Sequence, residues 1–167
     1  MTANCMSSAR TGIFHCLDAS TGKKIWRHDL LKEFQAQNLP WGVSFSPLVD
    51  GELVYTNPGG GDGNSLAAFN KKTGKLVWKA LSDKAGYASP MAADLGGRRQ
   101  IIFFTGQALV GVTPDKGQLL WRFPWQTDYD CNIATPIILG NHVFISSGYN
   151  RGVCAARNQT PRRSLPR

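Results

Sequence analysis

The sequence lacks several features that would assign the protein to a class at once. No stretch approaches the roughly 20 apolar residues of a membrane-crossing helix, and the first twelve residues, MTANCMSSARTG, contain no apolar core of a signal peptide. None of the cysteines is spaced as CxxC, which excludes the common zinc and thioredoxin-type motifs. Two disulfides are possible by number, but we favour buried free thiols for Cys16 and Cys131.

Acidic residues are also missing from the end of the chain, where none follows Asp130. Five arginines lie in that part: Arg151, Arg157, Arg162, Arg163 and Arg167. They account for most of the net charge of +8, since residues 1–150 carry 14 basic and 11 acidic side chains. No basic face with interleaved aromatic residues is visible, so the sequence does not predict nucleic-acid binding.

An eleven-residue phrase ending in tryptophan occurs three times. It reads CLDASTGKKIW over residues 16–26, AFNKKTGKLVW over 68–78 and GVTPDKGQLLW over 111–121. Each copy has a glycine six places after its first residue and the tryptophan ten places after it: Gly22 and Trp26, Gly74 and Trp78, Gly117 and Trp121. The tryptophans are 52 and then 43 residues apart. A period of this length is typical of an array of similar structural units.

A second phrase, serine or threonine before proline, recurs in step with the first at Ser46-Pro47, Ser89-Pro90 and Thr135-Pro136. Each copy precedes a β-branched and aromatic run (LVYT, IIFFT or VFISS) that favours a strand. The glycine of the tryptophan phrase suits a tight turn between two further strands. Units of four short antiparallel strands joined by glycine turns are typical of β-propeller blades.

The sequence therefore predicts an all-β fold, a partial β-propeller of four-stranded antiparallel blades with two complete blades flanked by two half blades. The predicted blades cover roughly residues 12–31, 42–81, 86–124 and 131–150. Residues 1–11 are predicted to be a disordered N-terminus. Residues 151–167 are predicted to be a basic irregular tail, for which a frameshift or miscalled gene end is favoured over a genuine tail. Exposed blade faces and unpaired strand edges predict association or aggregation of the isolated chain.

The phrase A-x-D-x-x-T-G-K-x-x-W resembles the tryptophan-docking motif of the pyrroloquinoline-quinone (PQQ)-type β-propellers, also called quinoprotein-alcohol-dehydrogenase-like repeats. The first copy keeps its elements from Asp18 to Trp26. The second has Asn70 in place of the acid, and the third has Thr113 and Gln118 at the acid and lysine positions. The resemblance covers residues 12 to about 150. Family members usually have eight blades, so the chain is similar to roughly three eighths of one.

The resemblance implies that the indoles pack between adjacent blades, against the neighbouring turn, and are structural. It also implies two functional branches: periplasmic dehydrogenases that bind PQQ and calcium on the propeller axis, and non-enzymatic binding propellers that include the outer-membrane assembly lipoprotein. The enzymes share an adjacent pair of cysteines, which this chain lacks, and carboxylate calcium ligands that no motif here matches. We therefore expect a non-enzymatic binding or scaffolding propeller, with no established cofactor. A fragment of a PQQ-dependent alcohol dehydrogenase, with PQQ and calcium, is the alternative.

The connectors between blades are the predicted functional surface, because in a propeller they line one face near the axis. They contain aromatic residues beside acids and amides. The candidate binding rim comprises Trp41, Tyr87, Trp125, Asp128, Asp130 and Asn132. It suits a protein or another ligand, and the missing blades of a parent chain are further expected partners. Full burial of Trp41 and Trp125 between blades would contradict the rim. The parent is expected to be periplasmic or extracellular.

Other segments give weaker signals. Asp128–Asn132 opens like a calcium-binding loop, but Ile133 and Leu139 stand where that loop needs glycine and glutamate. The glycine-rich segment 57–64 lacks the Lys-Ser/Thr of a phosphate-binding loop, and a hairpin loop is expected there. Residues 30–38 could form about two turns of helix in a connector or remain irregular. The three histidines, His15, His28 and His142, are expected at surface or edge positions. No catalytic residue is therefore predicted.

Overall fold

The computed structural model describes residues 4–157, which form four antiparallel β-sheets in chain order. The first sheet contains β1 (Asn4–Ser8), β2 (Ile13–Asp18) and β3 (Lys24–Asp29). The second contains β4 (Leu48–Asp50), β5 (Leu53–Thr56), β6 (Leu66–Asn70) and β7 (Leu76–Ala80). The third contains β8 (Met91–Leu95), β9 (Arg98–Phe104), β10 (Ala108–Val112) and β11 (Leu119–Pro124). The fourth contains β12 (Ile137–Leu139), β13 (His142–Ser147) and β14 (Gly152–Arg157).

Helical structure within residues 4–157 is confined to two short segments. Helix α1 (Leu30–Glu33) begins with Asp29, whose side chain accepts a 3.1 Å hydrogen bond from the amide of Lys32. It ends at Phe34, so only the first turn of the segment 30–38 is helical. A 3-10 turn covers Asp128–Asp130. No helix in the described part of the chain combines the length and apolar character needed to cross a membrane.

The tryptophan phrase builds the turn between the last two strands of a sheet. Its glycine has a left-handed backbone in every copy, with φ of +70° at Gly22, +72° at Gly74 and +65° at Gly117. In the first copy, Oδ1 of Asp18 accepts hydrogen bonds from the amides two and three residues later, at 3.0 and 2.8 Å. Asn70 makes the same pair of bonds in the second copy. A short polar side chain at the start and glycine at the end therefore close the turn.

The core lies between successive sheets. On β5 of the second sheet, Val54 is buried against the first sheet, whereas the adjacent Tyr55 is buried against the third. Side chains of a strand alternate between its two faces, so a sheet with apolar residues on both faces must be covered on both. A third cluster joins the third and fourth sheets through Leu109 and Val143. The all-β, partial-propeller prediction is confirmed.

Both ends of the array differ from the sequence prediction. Residues 4–8 form β1 and not part of a disordered N-terminus, because their backbone pairs with β2 from Asn4↔Asp18 to Ser8↔Phe14. Residues 152–157 form β14 and not an irregular tail, because they pair with β13 throughout. Within the described residues, each end sheet therefore has three strands. Residues 1–3 and the remainder of the predicted tail, 158–167, lie outside the described residues.

Candidate functional site

Two of the three tryptophans of the repeated phrase join neighbouring sheets. The indole N–H of Trp26 donates to the carbonyl oxygen of Lys71 at 3.1 Å, and that of Trp78 donates to Pro114 at 2.8 Å. Each ring lies against the glycine of the next turn, so a Cβ added at Gly74 or Gly117 would come within 2.7 or 2.5 Å of it. Both tryptophans are only 8% exposed. Their geometry gives them a structural role at the sheet junctions.

Trp121 departs from this arrangement. Its indole N–H donates to Oε1 of Gln100 in its own sheet at 2.6 Å, and the side chain is half-buried. The residue paired with it is Gly111, where a Cβ would overlap the indole, whereas Ala68 and Cys16 occupy this position in the other copies. The missing Cβ therefore gives the ring room to lie across its own sheet. No atom lies within 4 Å of a Cβ built at Gly22, the turn glycine of the first sheet.

The connectors and one hairpin loop contact one another and form what we call the connector face: residues 34–47, 57–65, 81–90 and 125–136. The glycine-rich segment within 57–65 is a hairpin loop between β5 and β6, in agreement with the sequence. A Cβ at Gly59 would overlap Ala85, and one at Gly60 would overlap the carbonyl of Phe34. The glycines thus allow close packing of the loop between two connectors and need no phosphate to explain them.

Asn132 is a buried hub beneath this face. Its side-chain amide donates to the carbonyl oxygens of Thr105 at 2.7 Å and Trp125 at 3.1 Å, and its Oδ1 accepts from Ser147 Oγ at 3.0 Å. Its backbone carbonyl accepts a further bond from the amide of Tyr87. Because Asn132 is 0% exposed and its side-chain atoms are all engaged, it supports the rim from below and is not part of the binding surface.

Two ion pairs involve the connector 81–90, and only one of them is sheltered from water. Asp83 is 5% exposed, accepts from Arg122 at 2.9 Å with both carboxylate oxygens, and also accepts from the hydroxyl of Thr105 at 2.8 Å. Lys84 contacts Asp130 at 3.3 Å, but its side chain is 65% exposed. The first pair is protected from water and positions the backbone, whereas the exposed second pair contributes little.

Aromatic rings from three connectors, together with Tyr149 of the adjoining β13–β14 hairpin, form a row across the face. Trp41 lies 5.9 Å from Tyr87 and 6.4 Å from Tyr129, which in turn lies 5.8 Å from Tyr149, between ring centroids. Trp41 is 55%, Tyr129 67% and Tyr149 49% exposed. The two exposed tyrosines have left-handed backbones, with φ of 63° and 55°. Such conformations are uncommon outside glycine and concentrate at functional sites.

The predicted rim is therefore only partly assembled at the surface. Trp41 and Asp128 are exposed and Asp130 is half-buried, but Tyr87 is 6% exposed and burial raises the pKa of its phenol. Trp125 is half-buried away from the row, and its indole donates to Ser147 Oγ at 3.1 Å.

Sequence reasoning left Tyr129 and Tyr149 out of the rim, although each stands among turn-forming residues, as Asp-Tyr-Asp and Gly-Tyr-Asn. An aromatic residue inside such a turn is the signal that could have identified both.

A cleft of about 350 Å³ opens beside the row. Loop residues from Gln35 to Pro40 form one side, and Lys84 and Asp130 form the other. Three buried polar atoms at the base of the β5–β6 loop have no hydrogen-bond partner within residues 4–157: Oγ1 of Thr56, Oδ1 of Asn57 and Oγ of Ser65. The face thus combines exposed rings, a polar cleft and unused hydrogen-bonding capacity.

Comparison with known proteins decides the family. The family model described as outer membrane protein assembly factor BamB matches residues 3–165. The chain belongs to this family. Its sheets are PQQ-like propeller repeats, and its sequence is also similar to that of quinoprotein alcohol dehydrogenases.

Curated relatives of this BamB-family chain are much longer than the region they share with it. The glycerol dehydrogenase large subunit of Gluconobacter thailandicus is 27% identical over 123 residues, which are 65% of this chain and 16% of the relative. The quinoprotein alcohol dehydrogenase PedH of Pseudomonas putida is 27% identical over 125 residues, or 67% and 19%. The chain therefore spans under a fifth of either relative.

Solved structures support the same fold. The quinohemoprotein alcohol dehydrogenase ADHIIG of Pseudomonas putida HK5 superposes with a TM-score of 0.60 at 17% identity, over 87% of this chain and 27% of that one. A computationally designed protein, Ika8, gives a TM-score of 0.59 at 16% identity, over 94% and 45%. At such identities the likeness establishes the propeller architecture only.

The described residues of this BamB-family chain do not fit the calcium that the resemblance to PQQ-dependent dehydrogenases implies. Within residues 4–157, no three histidine, cysteine, aspartate or glutamate side chains lie together as a metal site requires. Asp83 and Asp130, the more sheltered acids of the connector face, are already paired with Arg122 and Lys84. The described cysteines are free thiols, two of them buried: Cys16 and Cys131. We therefore derive no catalytic step through PQQ or calcium.

Proposed function

We propose that this chain is part of a non-enzymatic binding propeller whose connector face holds a protein ligand. The observation that supports the proposal is the row of exposed rings of Trp41, Tyr129 and Tyr149. Large aromatic side chains provide contact area at low entropic cost and are enriched where proteins recognise proteins. The network around Asn132 and Asp83 holds the connectors beneath the row, so the rings need little reorganisation on binding.

The family description supports a protein as the ligand, because an outer membrane protein assembly factor acts on or with other proteins. It also supports placing the whole protein in the periplasm. Charged residues flank Tyr129 in the sequence, namely Asp128 and the Asp130 that pairs with Lys84. These charges beside the exposed rings favour a partner with both polar and apolar groups. A protein segment provides both.

Site-specific photo-cross-linking tests this proposal. A photoreactive phenylalanine analogue is placed at position 129 or 149 of the chain expressed in the periplasm, and captured proteins are identified by mass spectrometry. Position 72 is the control, because the Lys72 side chain is 69% exposed in the turn after β6, outside the connector face. The proposal predicts one outer-membrane assembly component captured from 129 and 149 but not from 72. Equal capture from all three positions, or none, would overturn it.

A second candidate is a segment of a PQQ-dependent dehydrogenase, which the names of two curated relatives favour. The described residues offer no calcium donor set, so under this proposal other parts of a longer protein supply the ligands. Isothermal titration of the whole, longer protein with PQQ in the presence of calcium separates the candidates. Saturable binding that is lost on chelation of calcium would support the dehydrogenase. Absence of binding, together with specific cross-links, would support the binding propeller.

A further inference from the structure

The fourth sheet carries large apolar side chains on both of its faces, although His142 and Ser146 also lie on the outer one. Val143 and Ile145 are buried against the third sheet. On the opposite face, Ile137 is 61%, Phe144 37% and Val153 65% exposed. A sheet with one face in water normally places polar residues on that face. The composition of the fourth sheet is instead that of a sheet covered on both sides.

Strand register shows what covers this face in the other sheets. Phe144 pairs with the first residue of β12, just as Tyr55 pairs with the first residue of β4 and Ile102 with that of β8. Tyr55 is 1% and Ile102 0% exposed, and each packs against the following sheet. Val153 corresponds in the same way to Leu66 and Leu109, which are fully buried. The exposed face is therefore an unfilled sheet–sheet interface.

The first sheet presents the opposite half of such an interface. Cys5 and Leu17 form a pair on the face turned away from the second sheet. Their pair corresponds to Val54 and Phe69 of the second sheet, which are buried against the sheet that precedes them. Cys5 is exposed and Leu17 half-buried. The open space over Gly22 extends this uncovered surface to the turn.

We propose that the outer face of the fourth sheet docks onto the outer face of the first sheet of a second copy of this chain. At every junction within residues 4–157, the face of one sheet that is turned towards the following sheet packs against the face of that following sheet which is turned back. Docking of a second copy would repeat this arrangement between the fourth sheet of one copy and the first sheet of the other. A cleft of about 470 Å³ beside Val153, Tyr149 and Ile133 adds to the apolar surface available there. The contact is head-to-tail, so it can close into a ring or extend as a filament. The proposal rests on the two sheet faces and not on the identity of a ligand at the connector face, and Tyr149 borders both surfaces.

Sedimentation velocity on the full chain tests the proposal, with a reducing agent present so that Cys5 cannot form an intermolecular disulfide. Phe144→Asp places a carboxylate in the outer face of the fourth sheet, and Leu17→Asp places one in the outer face of the first sheet. Leu76→Asp is the matched control, because Leu76 is 41% exposed and Phe144 37% exposed. An unpaired charge in a docked interface weakens association by about tenfold or more. Circular dichroism checks the fold, and Val153→Asp and Cys5→Asp replace any variant that fails to fold.

The wild type and Leu76→Asp are expected to sediment as species larger than one 18.3 kDa chain. Phe144→Asp and Leu17→Asp are each expected to be monomeric alone. An equimolar mixture of these two is expected to form a dimer, because one provides an intact first sheet and the other an intact fourth sheet. A monomeric wild type, a Leu17→Asp variant that associates as well as the wild type, or a mixture that stays monomeric would overturn the proposal.

Discussion

The indole N–H of Trp78 donates a 2.8 Å hydrogen bond to the carbonyl oxygen of Pro114, which belongs to the turn of the following sheet. The hydroxyl of Tyr55 donates to the same oxygen at 3.3 Å. Burial is the main cause that raises the pKa of this phenol to about 12, so it remains a donor at any physiological pH. One carbonyl in a turn thus holds two aromatic side chains of the preceding sheet, which explains why the turn sequence recurs with the tryptophan.

The turn glycines provide the first prediction. Gly22, Gly74 and Gly117 share a left-handed backbone, so replacing any of them with alanine costs about 1–2 kcal/mol of strain. Gly74→Ala and Gly117→Ala also force the new methyl group into an indole, which adds about 1–3 kcal/mol. Gly22→Ala is the matched control, because its Cβ meets no atom within 4 Å. Urea unfolding followed by circular dichroism measures the three free energies, and equal losses would contradict the docking geometry.

The strands that the sequence could predict are those with a strong local signal. The run from Ile101 to Thr105 and its counterparts are rich in β-branched and aromatic residues, which fit a pleated, buried surface. Strands β1 and β14 contain mainly small or polar residues, as in NCMSS and GVCAAR. They are strands because a neighbouring strand offers backbone partners. Local propensity does not contain that information.

The sequence could predict where the candidate site lies, but not which residues are exposed in it. Aromatic and polar residues in the connectors indicated the surface, and Trp41 and Asp128 do lie on it. Whether a connector residue is exposed depends on contacts with distant parts of the chain, such as the bond from Asn132 to the carbonyl of Thr105, 27 residues away. The same limit applies to Trp121, whose place depends on the missing Cβ of Gly111 in the opposite strand.

The position of Trp121 gives the second prediction. Gly111→Ala places a methyl group where the indole now lies, so the ring should leave Gln100 and move outward. The sheet itself should tolerate the change, because the second copy has Ala68 at this position. In protein labelled with 5-fluorotryptophan, one of the five tryptophan resonances should shift strongly. A Trp121→Phe variant assigns that resonance, and an unmoved Trp121 signal would contradict the explanation.

The effect of low pH on the stability of the first turn gives the third prediction. Hydrogen bonds from the side chains of Ser20 and Thr21, helped by the Thr21 amide, lower the pKa of Asp18 to about 2 from its ordinary 3.8. A carboxyl group with a lowered pKa stabilises the folded state above its ordinary pKa and loses that contribution as the pH falls through the folded value. The first turn should therefore begin to lose stability below about pH 4 and lose the whole contribution below about pH 2.

Asn70 shows that an amide can replace this carboxylate in the turn. We therefore expect Asp18→Asn to fold and to be less stable than the wild type at pH 6, with the difference vanishing near pH 2. Carbon-detected NMR titration of the Asp18 carboxyl group measures its pKa directly, and urea unfolding across the same pH range measures the stability difference. A titration midpoint near 4, or a pH-independent difference between the two proteins, would contradict the role given to the hydrogen bonds.

The pair between Asp83 and Arg122 provides the last prediction. The carboxylate is 5% exposed, and Arg122→Met would leave it with the hydroxyl of Thr105 as its remaining side-chain donor. Removing one member of a buried pair costs about 3–5 kcal/mol, and we expect about 2 kcal/mol here because the arginine side chain is 36% exposed and partly screened. Urea unfolding of the variant measures the loss.

The double variant Asp83→Asn, Arg122→Met separates loss of attraction from the cost of an unpaired buried charge. A neutral amide can still accept from Thr105 and costs far less to bury than a carboxylate. If the unpaired charge dominates, the double variant should therefore be more stable than Arg122→Met alone, with a coupling energy above about 0.5 kcal/mol in the mutant cycle. A double variant whose loss equals the sum of the losses of Asp83→Asn and Arg122→Met would show that the two side chains are energetically independent.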